Sequence, residues 1–376
     1  MLKVAIVGCG KIADAHASQI QRIGGCEIVG VYDQEPLMAQ QLYERFPIKA
    51  YFLDLHELLR VAKPDVVHIT TPPESHYPIA RTCLEAGCHI YVEKPFALNL
   101  EESRVLIDLA EEVGQKITVG HDDQFRHAAR RMRALIQHGF LGTPVHMESC
   151  YCYELGRSAY AGALLGDKGH WVRRLPGKLL QNIISHGIAR LAEFLSTDSP
   201  EVIAYGFTSP LLKSLGETQI IDELRVIISE KQGLTAYFTF SSQMRPGLHQ
   251  FRIYGDKNGL ILDQDQETLI QLKGERYKSY LEKFIPPMTL AQQYLGNLRI
   301  NLRTFLARDF HMKSGMKYLI EAFYKSIEDD TEPPIPYSEI LRTAAIMDEI
   351  FVQLERWRED LHDGRSRLPA LEVIDH

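Results

Sequence analysis

The segment G-C-G-K-I-A at residues 8–13 has the glycine spacing of a turn that binds the pyrophosphate of a dinucleotide. Gly8 permits a tight turn, Gly10 lets the backbone approach the phosphates, and N–H groups at the start of the next helix bind the anion. Asp33, about 20 residues on, would accept hydrogen bonds from ribose hydroxyls and repel a 2′-phosphate, which favours NAD over NADP. A glycine turn without a ligand is the alternative. The expected cofactor contacts are Gly8, Gly10, Lys11, Ile12 and Asp33.

Glu93, Lys94 and Pro95 follow a short apolar segment, residues 89–92, that is typical of a strand. A lysine at the end of a strand can hydrogen-bond or protonate a substrate oxygen, and Glu93 would hold its ammonium group in place. A surface ion pair beside a turn proline is the alternative. Because ligands bind beyond the carboxyl ends of parallel strands, the position of Lys94 favours a catalytic role.

Asn182 and His186 are four residues apart in a helix that the apolar pattern predicts over residues 179–190, so they should share one face. His186 could act as a general base, because its ordinary pKa of about 6.5 suits neutral pH. Asn182 can hydrogen-bond a substrate hydroxyl but cannot take its proton. A histidine whose hydrogen bonds are satisfied within a packed helix is the alternative.

His121, Asp122 and Asp123 have the composition of a metal site. Adjacent side chains in an extended segment point in opposite directions, so three in a row rarely share one ion, and we expect no metal. Their position favours a contact of His121 with the cofactor and of Asp122 with the substrate. Further candidate substrate contacts, with ordinary loop packing as the alternative, are Tyr153, Tyr160, His170, Trp171 and Arg173.

Strands and helices are expected to alternate through the first 120 residues, because short apolar runs alternate with amphipathic segments. The predicted strands are residues 4–7, 27–32, 50–51, 66–70, 89–92 and 116–119. The predicted helices are residues 12–20, 36–46, 55–61, 76–86 and 100–113. This order predicts an α/β Rossmann domain whose parallel sheet is covered on both faces.

The pattern changes after residue 121, where a predicted helix over residues 128–138 precedes a run of strands. The predicted strands are residues 145–153, 202–207, 222–229, 234–241, 249–254, 259–262 and 268–272. Such a run predicts an α+β domain with an open, mostly antiparallel sheet. We therefore expect a cofactor domain over residues 1–121 and a substrate and oligomerisation domain over residues 122–376, with C-terminal helices that can pack back on the first.

The segments T-T-P-P-E-S-H at residues 70–76 and L-E-A-G-C-H-I-Y-V-E-K-P at residues 84–95 resemble motifs of the Gfo/Idh/MocA oxidoreductases. The resemblance extends over nearly the whole chain. It implies that the T-P-P-x-x-H loop lies beside the nicotinamide ribose. The cofactor contacts that it adds are Thr71, Pro72, His76, Glu93 and Lys94.

The chain also departs from this family at positions near the expected substrate. The family has D-x-G-x-H where this chain has Asn182, Ile184 and His186, so only the histidine matches. Gln124 stands where the family often has an arginine. The resemblance further implies a cis Lys94–Pro95 bond and sheets that pack face to face in homodimers or homotetramers.

Length and composition set broader limits. The 376 residues, 45% hydrophobic and 24% charged, are typical of a globular protein of two to three domains. The net charge of −7 argues against a nucleic-acid partner. The six cysteines form no zinc-type pairs. No signal-like segment precedes the first strand and no apolar stretch reaches about 18 residues, so we expect a cytoplasmic protein without a membrane span.

Charge is unevenly distributed along the second half. Residues 273–313 hold eight Lys/Arg and three Asp/Glu, whereas residues 321–376 hold six and fourteen. A helix with a solvated basic face is the simpler interpretation. A sharper hypothesis is an anionic substrate, such as a sugar acid, held by arginines. A third and weaker hypothesis is that this helix lies on a membrane surface.

These patterns, with the resemblance, predict an NAD-dependent oxidoreductase that transfers a hydride between nicotinamide and a hydroxyl of a sugar, sugar acid or nucleotide-sugar. Lys94 and His186 are the expected catalytic residues. The expected substrate contacts are Lys94, Asp122, Tyr153, Arg173, Asn182 and His186. Two alternatives remain, a redox-neutral sugar-modifying enzyme that retains NAD and a non-catalytic NAD-binding regulator.

Overall fold

Six parallel strands form the first sheet, in the order β3-β2-β1-β4-β5-β6. The computed structural model describes residues 1–155, 159–231, 233–311 and 313–362. The strands are β1 (Leu2–Val7), β2 (Cys26–Tyr32), β3 (Tyr51–Phe52), β4 (Val66–Ile69), β5 (His89–Val92) and β6 (Ile117–Val119). The strand order reverses beside β1, where a crevice opens at the carboxyl ends of such sheets.

Helices connect these strands and cover both faces of the sheet, so the apolar run of residues 4–7 is fully buried. They are α1 (Lys11–Ile20), α2 (Pro36–Arg45), α3 (Leu55–Ala62), α4 (His76–Glu85) and α5 (Leu100–Glu112). Asp54 and Asn99 cap the N-termini of α3 and α5 with side-chain hydrogen bonds. The predicted α/β Rossmann fold is confirmed, and the element ends differ from the prediction by one or two residues.

Seven strands form the second sheet, in the order β13-β12-β11-β7-β10-β9-β8. They are β7 (Pro144–Glu154), β8 (Glu201–Phe207), β9 (Glu223–Ser229), β10 (Thr235–Ser241), β11 (Gln243–Gly255), β12 (Asn258–Asp263) and β13 (Thr268–Lys273). Only β7 and β10 pair in parallel, and the sheet is not closed, so the predicted open, mostly antiparallel sheet is confirmed. The predicted strand over residues 249–254 proved too short, because β11 continues through an irregular register back to Gln243.

The helices of this half pack on one face of the sheet or lie at its ends. They are α6 (His127–Gln137), α7 (Ala159–Gly166), α8 (Lys178–Ile183), α9 (Ser185–Ala192), α10 (Pro210–Ser214) and α11 (Leu281–Leu306). The single helix predicted over residues 179–190 is wrong, because the chain breaks it at Ile184 into α8 and α9. The break changes how Asn182 and His186 are presented.

Two C-terminal helices, α12 (Ser314–Glu328) and α13 (Tyr337–His362), return to the first sheet. Phe323 of α12 is fully buried in the core of that sheet. Along α13, Ile340 belongs to the first core and Ile350 to the second. The C-terminal segment therefore joins the two cores, and the domain boundary at residue 121 stays a prediction. No helix within the described ranges is both long and apolar enough to cross a membrane.

Candidate functional site

A cleft of about 870 Å³ opens at the carboxyl ends of β1, β2 and β4. The residues that line this glycine cleft are Gly8, Gly10, Tyr32, Asp33, Gln34, Met38, Thr70, Thr71, Pro72, Glu74, Ser75, Ile79 and Arg174. The cleft thus brings together the predicted cofactor contacts Gly8, Gly10, Asp33, Thr71 and Pro72.

The two glycines of this cleft serve different physical needs. Gly8 has a φ of +92°, and a Cβ there would lie 2.6 Å from the Thr71 Cγ2 atom, so no larger residue fits. Gly10 caps the N-terminus of α1 without a side chain, and a Cβ there would meet nothing within 4 Å. Open space over a free helix N-terminus fits the pyrophosphate of a dinucleotide.

Asp33 joins the loop after β1 to the loop after β2. Its Oδ2 accepts the backbone N–H of Cys9 at 2.7 Å, and its Oδ1 accepts that of Glu35 at 2.9 Å. These bonds hold the carboxylate at the edge of the cleft, where a ribose hydroxyl can reach its remaining lone pairs. Lys11 and Ile12 begin α1 but do not line the cleft in the described structure, and Ile12 packs on the core instead.

His76 lies behind the glycine cleft rather than in it. Its ring nitrogens are 2.8 Å from the Pro95 carbonyl oxygen and 2.9 Å from the Thr71 carbonyl oxygen. Burial lowers its pKa, against the effect of these two carbonyls. The prediction of a direct cofactor contact is therefore replaced by a structural arrangement in which His76 ties the T-P-P loop to the turn after β5.

Lys94 stands in that turn, and the Lys94–Pro95 peptide bond is cis, as the resemblance implied. Its Nζ donates a hydrogen bond to the Asn182 carbonyl oxygen at 2.9 Å, which links the first half of the chain to the second. Burial lowers the pKa of Lys94, and the carboxylates of Glu93 and Asp122 oppose that shift. The lysine thus reaches the second half with its charge supported by two acids.

Glu93 faces away from both clefts into the first core. Its Oε1 lies 2.8 Å from His16 Nε2. Burial raises the pKa of Glu93, but the bond to His16 and the charge of Lys94 outweigh burial and lower it to about 2. Glu93 is therefore ionised at neutral pH and acts beside Lys94 rather than on a ligand.

A second cleft, of about 1210 Å³, lies between the turn after β5 and the second sheet. The residues that line this histidine cleft are Lys94, Asp122, Asp123, Arg126, Tyr151, Tyr153, Leu155, Asn182, Ile183, His186, His249, Gln264, Asp265 and Lys313. It contains five of the six predicted substrate contacts, namely Lys94, Asp122, Tyr153, Asn182 and His186.

His186, near the start of α9, is the central imidazole of this cleft. Its Nδ1 lies 3.9 Å from Asp123 Oδ2 and 4.0 Å from Asp122 Oδ1, with no hydrogen bond to it from the described residues. Burial lowers the pKa of His186 to about 4, although Asp123 opposes the shift. The ring is therefore neutral at neutral pH and can accept a proton.

Asp122 and Asp123 are adjacent, but their pKa values are shifted in opposite directions. Burial, reinforced by Asp123, raises the pKa of Asp122 to about 7. Burial also opposes ionisation of Asp123, but the proximity of His186, Arg126 and Arg190 outweighs it and lowers the Asp123 pKa. The two residues begin a 3₁₀ turn, Asp122–Phe125, rather than the extended segment assumed from the sequence.

Several cleft residues were not found by sequence reasoning. Tyr151 donates its hydroxyl to Asp123 Oδ2 at 2.9 Å, and its alternation with Tyr153 along β7 was a usable signal. His249 pairs with Asp265 at 2.8 Å, and Lys313 reaches the cleft from just before α12. These last residues come from distant parts of the chain, and no local pattern marks them.

Two predicted site residues lie elsewhere. Arg173 donates to the Leu164 carbonyl oxygen and to Glu217, both at 2.8 Å, so it is not a cleft residue. His121 is buried with its ring 5.8 Å from that of His186, and it borders a separate cavity rather than either cleft, so its cofactor contact stays a prediction.

Of three further candidates, the two that the structure describes line neither cleft. His170 caps a 3₁₀ turn, Trp171–Arg174, and Trp171 packs in a small apolar cluster. The side chain of Tyr160 lies outside the described residues. Within the part of the chain that the structure describes, no cluster of three or more His, Cys, Asp or Glu residues could hold a metal ion.

A Rossmann sheet with a glycine cleft, followed by an open sheet beside the histidine cleft, defines a class of nicotinamide-dependent oxidoreductases. The model of the family described as "Oxidoreductase family, NAD-binding Rossmann fold" matches residues 2–121, and that of the "GFO/IDH/MocA C-terminal domain" matches residues 129–261. The chain belongs to the Gfo/Idh/MocA family and is an oxidoreductase that acts on CH–OH groups, which confirms the resemblance seen in the sequence.

Similar proteins extend this comparison. The chain is 31% identical to the 1-carboxy-3-chloro-3,4-dihydroxycyclohexa-1,5-diene dehydrogenase of Comamonas testosteroni, over 99% of this chain and 93% of that protein. It is 34% identical to the D-glucoside 3-dehydrogenase of Escherichia coli, but over only 38% of this chain and 40% of that one. The structure of the WlbA dehydrogenase from Bordetella pertussis with NADH and UDP-GlcNAcA has a TM-score of 0.74 at 17% identity, over 95% and 96% of the two chains.

Proposed function

We propose that this protein uses NAD to oxidise or reduce a hydroxyl group of a carbohydrate-like substrate. The observation that carries the proposal is that Lys94, at the end of β5, enters the same cleft as His186, a neutral imidazole without a hydrogen bond on Nδ1. A charged donor and a neutral base around one open space suit the two ends of alcohol oxidation.

In this proposal Lys94 hydrogen-bonds the reacting oxygen and polarises it as the carbonyl forms. His186 accepts the hydroxyl proton, and Asp123, held ionised, stabilises the imidazolium that results. The bound nicotinamide supplies the hydride acceptor or donor. The protein contributes orientation and proton transfer.

The polar lining of the histidine cleft favours a substrate with several hydroxyls. Tyr153, Asn182 and Asp122 offer hydroxyl, amide and carboxyl groups of the kind that recognise a polyol. Lys313 at the cleft supports the hypothesis of a substrate that also carries a carboxylate or phosphate. The two relatives described above are named as dehydrogenases, and one of these names specifies a glucoside.

The choice of NAD over NADP rests on Asp33, whose carboxylate lines the glycine cleft. A 2′-phosphate there would meet this negative charge. Arg174, the cation among the residues that line this cleft, already forms an ion pair with Glu74 through two hydrogen bonds. NAD is therefore the proposed cofactor.

Association into homodimers or homotetramers stays a prediction. It is supported by apolar side chains that one face of the second sheet exposes, namely Ile203, Tyr205, Phe207, Ile227 and Tyr237. The cytoplasmic location expected from the N-terminal sequence also stays a prediction.

A substrate screen tests the proposed activity. Purified protein is incubated with NAD or NADP and a panel of sugars, sugar acids, glycosides and nucleotide-sugars, and reduced nicotinamide is followed by absorbance. We expect turnover with NAD for part of the panel, and a loss of about 100-fold to 10,000-fold in kcat/KM for Lys94→Ala. Lys325→Ala, which changes an exposed lysine, is the matched control.

Two other outcomes would contradict the proposal. Product formed without added NAD and without net reduction of nicotinamide would indicate the redox-neutral alternative. NAD binding without turnover of any compound would indicate the regulator.

A further inference from the structure

Four buried side chains form one hydrogen-bonded row through the first core, behind Lys94. Glu93 Oε1 lies 2.8 Å from His16 Nε2, and His16 Nδ1 lies 2.8 Å from His68 Nδ1. His68 Nε2 in turn lies 2.8 Å from the hydroxyl oxygen of Tyr324. The row joins α1, β4, the end of β5 and α12, and none of its members lines either cleft.

The ionised carboxylate at one end sets the direction of the first hydrogen bond. Glu93 can only accept, so His16 Nε2 must carry the proton it donates. One proton lies between the two facing Nδ1 atoms. If His68 carries it, His68 donates to His16 and accepts at Nε2 from the hydroxyl of Tyr324, and if His16 carries it, both of these bonds run the other way. All three bonds are satisfied in either order.

The electrostatics of the row keep its two far members neutral. Burial, reinforced by His16, lowers the pKa of His68 well below its ordinary value, so this ring is neutral. Burial raises the pKa of Tyr324 well above its ordinary value, so its hydroxyl stays protonated. Buried hydrogen bonds in a chain polarise one another, and the last bond of this chain ends on Glu93.

Four polar side chains are costly in a core that apolar residues could fill. Tyr91 shows the contrast in the same place. Its ring stacks on His68 with centroids 4.7 Å apart, and its buried hydroxyl has no hydrogen-bond partner among the described residues. Packing alone therefore does not require the row, whereas the adjacent Lys94 does gain from a carboxylate that stays ionised.

We propose that His16, His68 and Tyr324 are positioning residues, which keep Glu93 ionised and so keep Lys94 charged and in place at the reacting oxygen. The inference rests on the proposed role of Lys94. Other charged or titratable groups that act on this pair are the same in every variant: His121, Asp122, Asp123, His186 and Lys313. Tyr91, whose pKa Glu93 helps to raise, is changed only in the control. Cys26 lies near Tyr324 at the far end.

The test compares one substitution at two neighbouring tyrosines. Tyr324→Phe removes the hydroxyl at the far end of the row, and Tyr91→Phe removes a hydroxyl that has no partner among the described residues. The rate at which acetic anhydride labels Lys94 is measured against pH by peptide mass spectrometry, which needs no turnover. A failure of the proposed function therefore remains distinguishable from a failure of the row.

We expect Tyr324→Phe to lower the pKa of Lys94 by about half a unit, so that labelling below that pKa is about threefold faster. Glu93→Gln, as the upper reference, should give a larger shift, and Tyr91→Phe none. The inference is overturned if Tyr324→Phe and Tyr91→Phe label alike while Glu93→Gln shifts the profile.

Histidine tautomers in the wild-type protein give a second reading that depends on no variant. In protein labelled with ¹⁵N-histidine, we expect a proton on His16 Nε2 and on only one of the two facing Nδ1 atoms across pH 6 to 8. Protons on both Nδ1 atoms, or on neither, would also overturn the inference.

Discussion

The glycine cleft and the histidine cleft are built from different material. Apart from Arg174, the lining of the glycine cleft comes from residues 8–79 and is largely backbone, small residues and loop ends. The lining of the histidine cleft comes from residues 94–313 and is largely charged or aromatic side chains. A pyrophosphate can be bound by N–H groups that any sequence has, provided that the turn is right, whereas a specific hydroxyl needs side chains in fixed positions.

The two clefts should therefore respond differently to substitutions. The glycine cleft depends on a few backbone angles, so a single added atom can close it. The histidine cleft depends on the balance of many charges, so neighbouring residues can have effects of opposite sign.

The largest expected effect concerns the two glycines. Gly8→Ala places a Cβ 2.6 Å from Thr71 Cγ2 at a φ of +92°, and we expect a loss of about 3 kcal/mol in the free energy of unfolding. Gly10→Ala adds a Cβ in open space, so stability should be unchanged while the Kd for NAD rises about tenfold. Calorimetry and NAD titration separate the two. Equal losses of stability in the two variants would show that the glycine cleft does not depend on the backbone conformation at Gly8.

The second effect contrasts the two aspartates. The Asp122 pKa rises from 3.8 to about 7 on folding, so wild-type stability falls as pH rises across that window. Asp122→Asn should therefore stabilise the protein by about 2 to 4 kcal/mol at pH 8, and by little near pH 4.

Asp123→Asn should do the opposite. The pKa of Asp123 is lowered on folding, so its stabilisation is present above its ordinary pKa and is lost as pH falls through the folded value. We expect a loss of about 1 to 3 kcal/mol at pH 8. Urea unfolding of both variants at pH 5 and pH 8 measures the signs. Two shifts of the same sign would contradict the charge balance described for this cleft.

The third effect concerns cofactor choice and is smaller. Asp33→Ser removes the carboxylate that a 2′-phosphate would meet, and it also loses two bonds to backbone N–H groups. We expect the preference for NAD over NADP to fall about tenfold, or 1.4 kcal/mol. Asp14→Ser, at an exposed ion pair with Arg45, is the control. An unchanged preference would place the discrimination outside Asp33.

The smallest expected effect concerns Arg174, which does not fit the contrast between the two clefts. Arg174 comes from the second half of the chain but pairs with Glu74 at the glycine cleft. This pair is exposed, so we expect Arg174→Ala to change the dissociation rate of NADH by about twofold, and less at high salt. Stopped-flow fluorescence measures the rate, with Arg45→Ala as control. A change of more than tenfold in the dissociation rate would show that the Arg174–Glu74 pair helps to retain the cofactor.

The same contrast explains what sequence could predict. Gly8, Asp33 and Lys94 stand at strand ends, where local spacing alone sets their position, so the first sheet and the places of these three residues could be predicted. His186 was reached through a family motif, and its partner Asp123 was considered only as a metal ligand.

Other residues depend on contacts that no local pattern reports. Arg173 looked like a substrate residue because of its position in the loop-rich stretch before His186, but Glu217, 44 residues on, pairs with it. Helix propensity does not predict the break at Ile184, because neither Ile183 nor Ser185 is a helix breaker. Tyr324 joins His68 across 256 residues, which periodicity cannot anticipate.

The position of α12 has a consequence for synthesis of the chain. The ribosome makes the six strands of the first sheet first, yet the core of that sheet includes Leu319, Ile320 and Phe323, all fully buried. About 200 residues of intervening chain must therefore leave the exit tunnel before this early-made sheet can be sealed. Until then part of its apolar surface is exposed, so we expect a nascent chain stalled before residue 314 to bind chaperones.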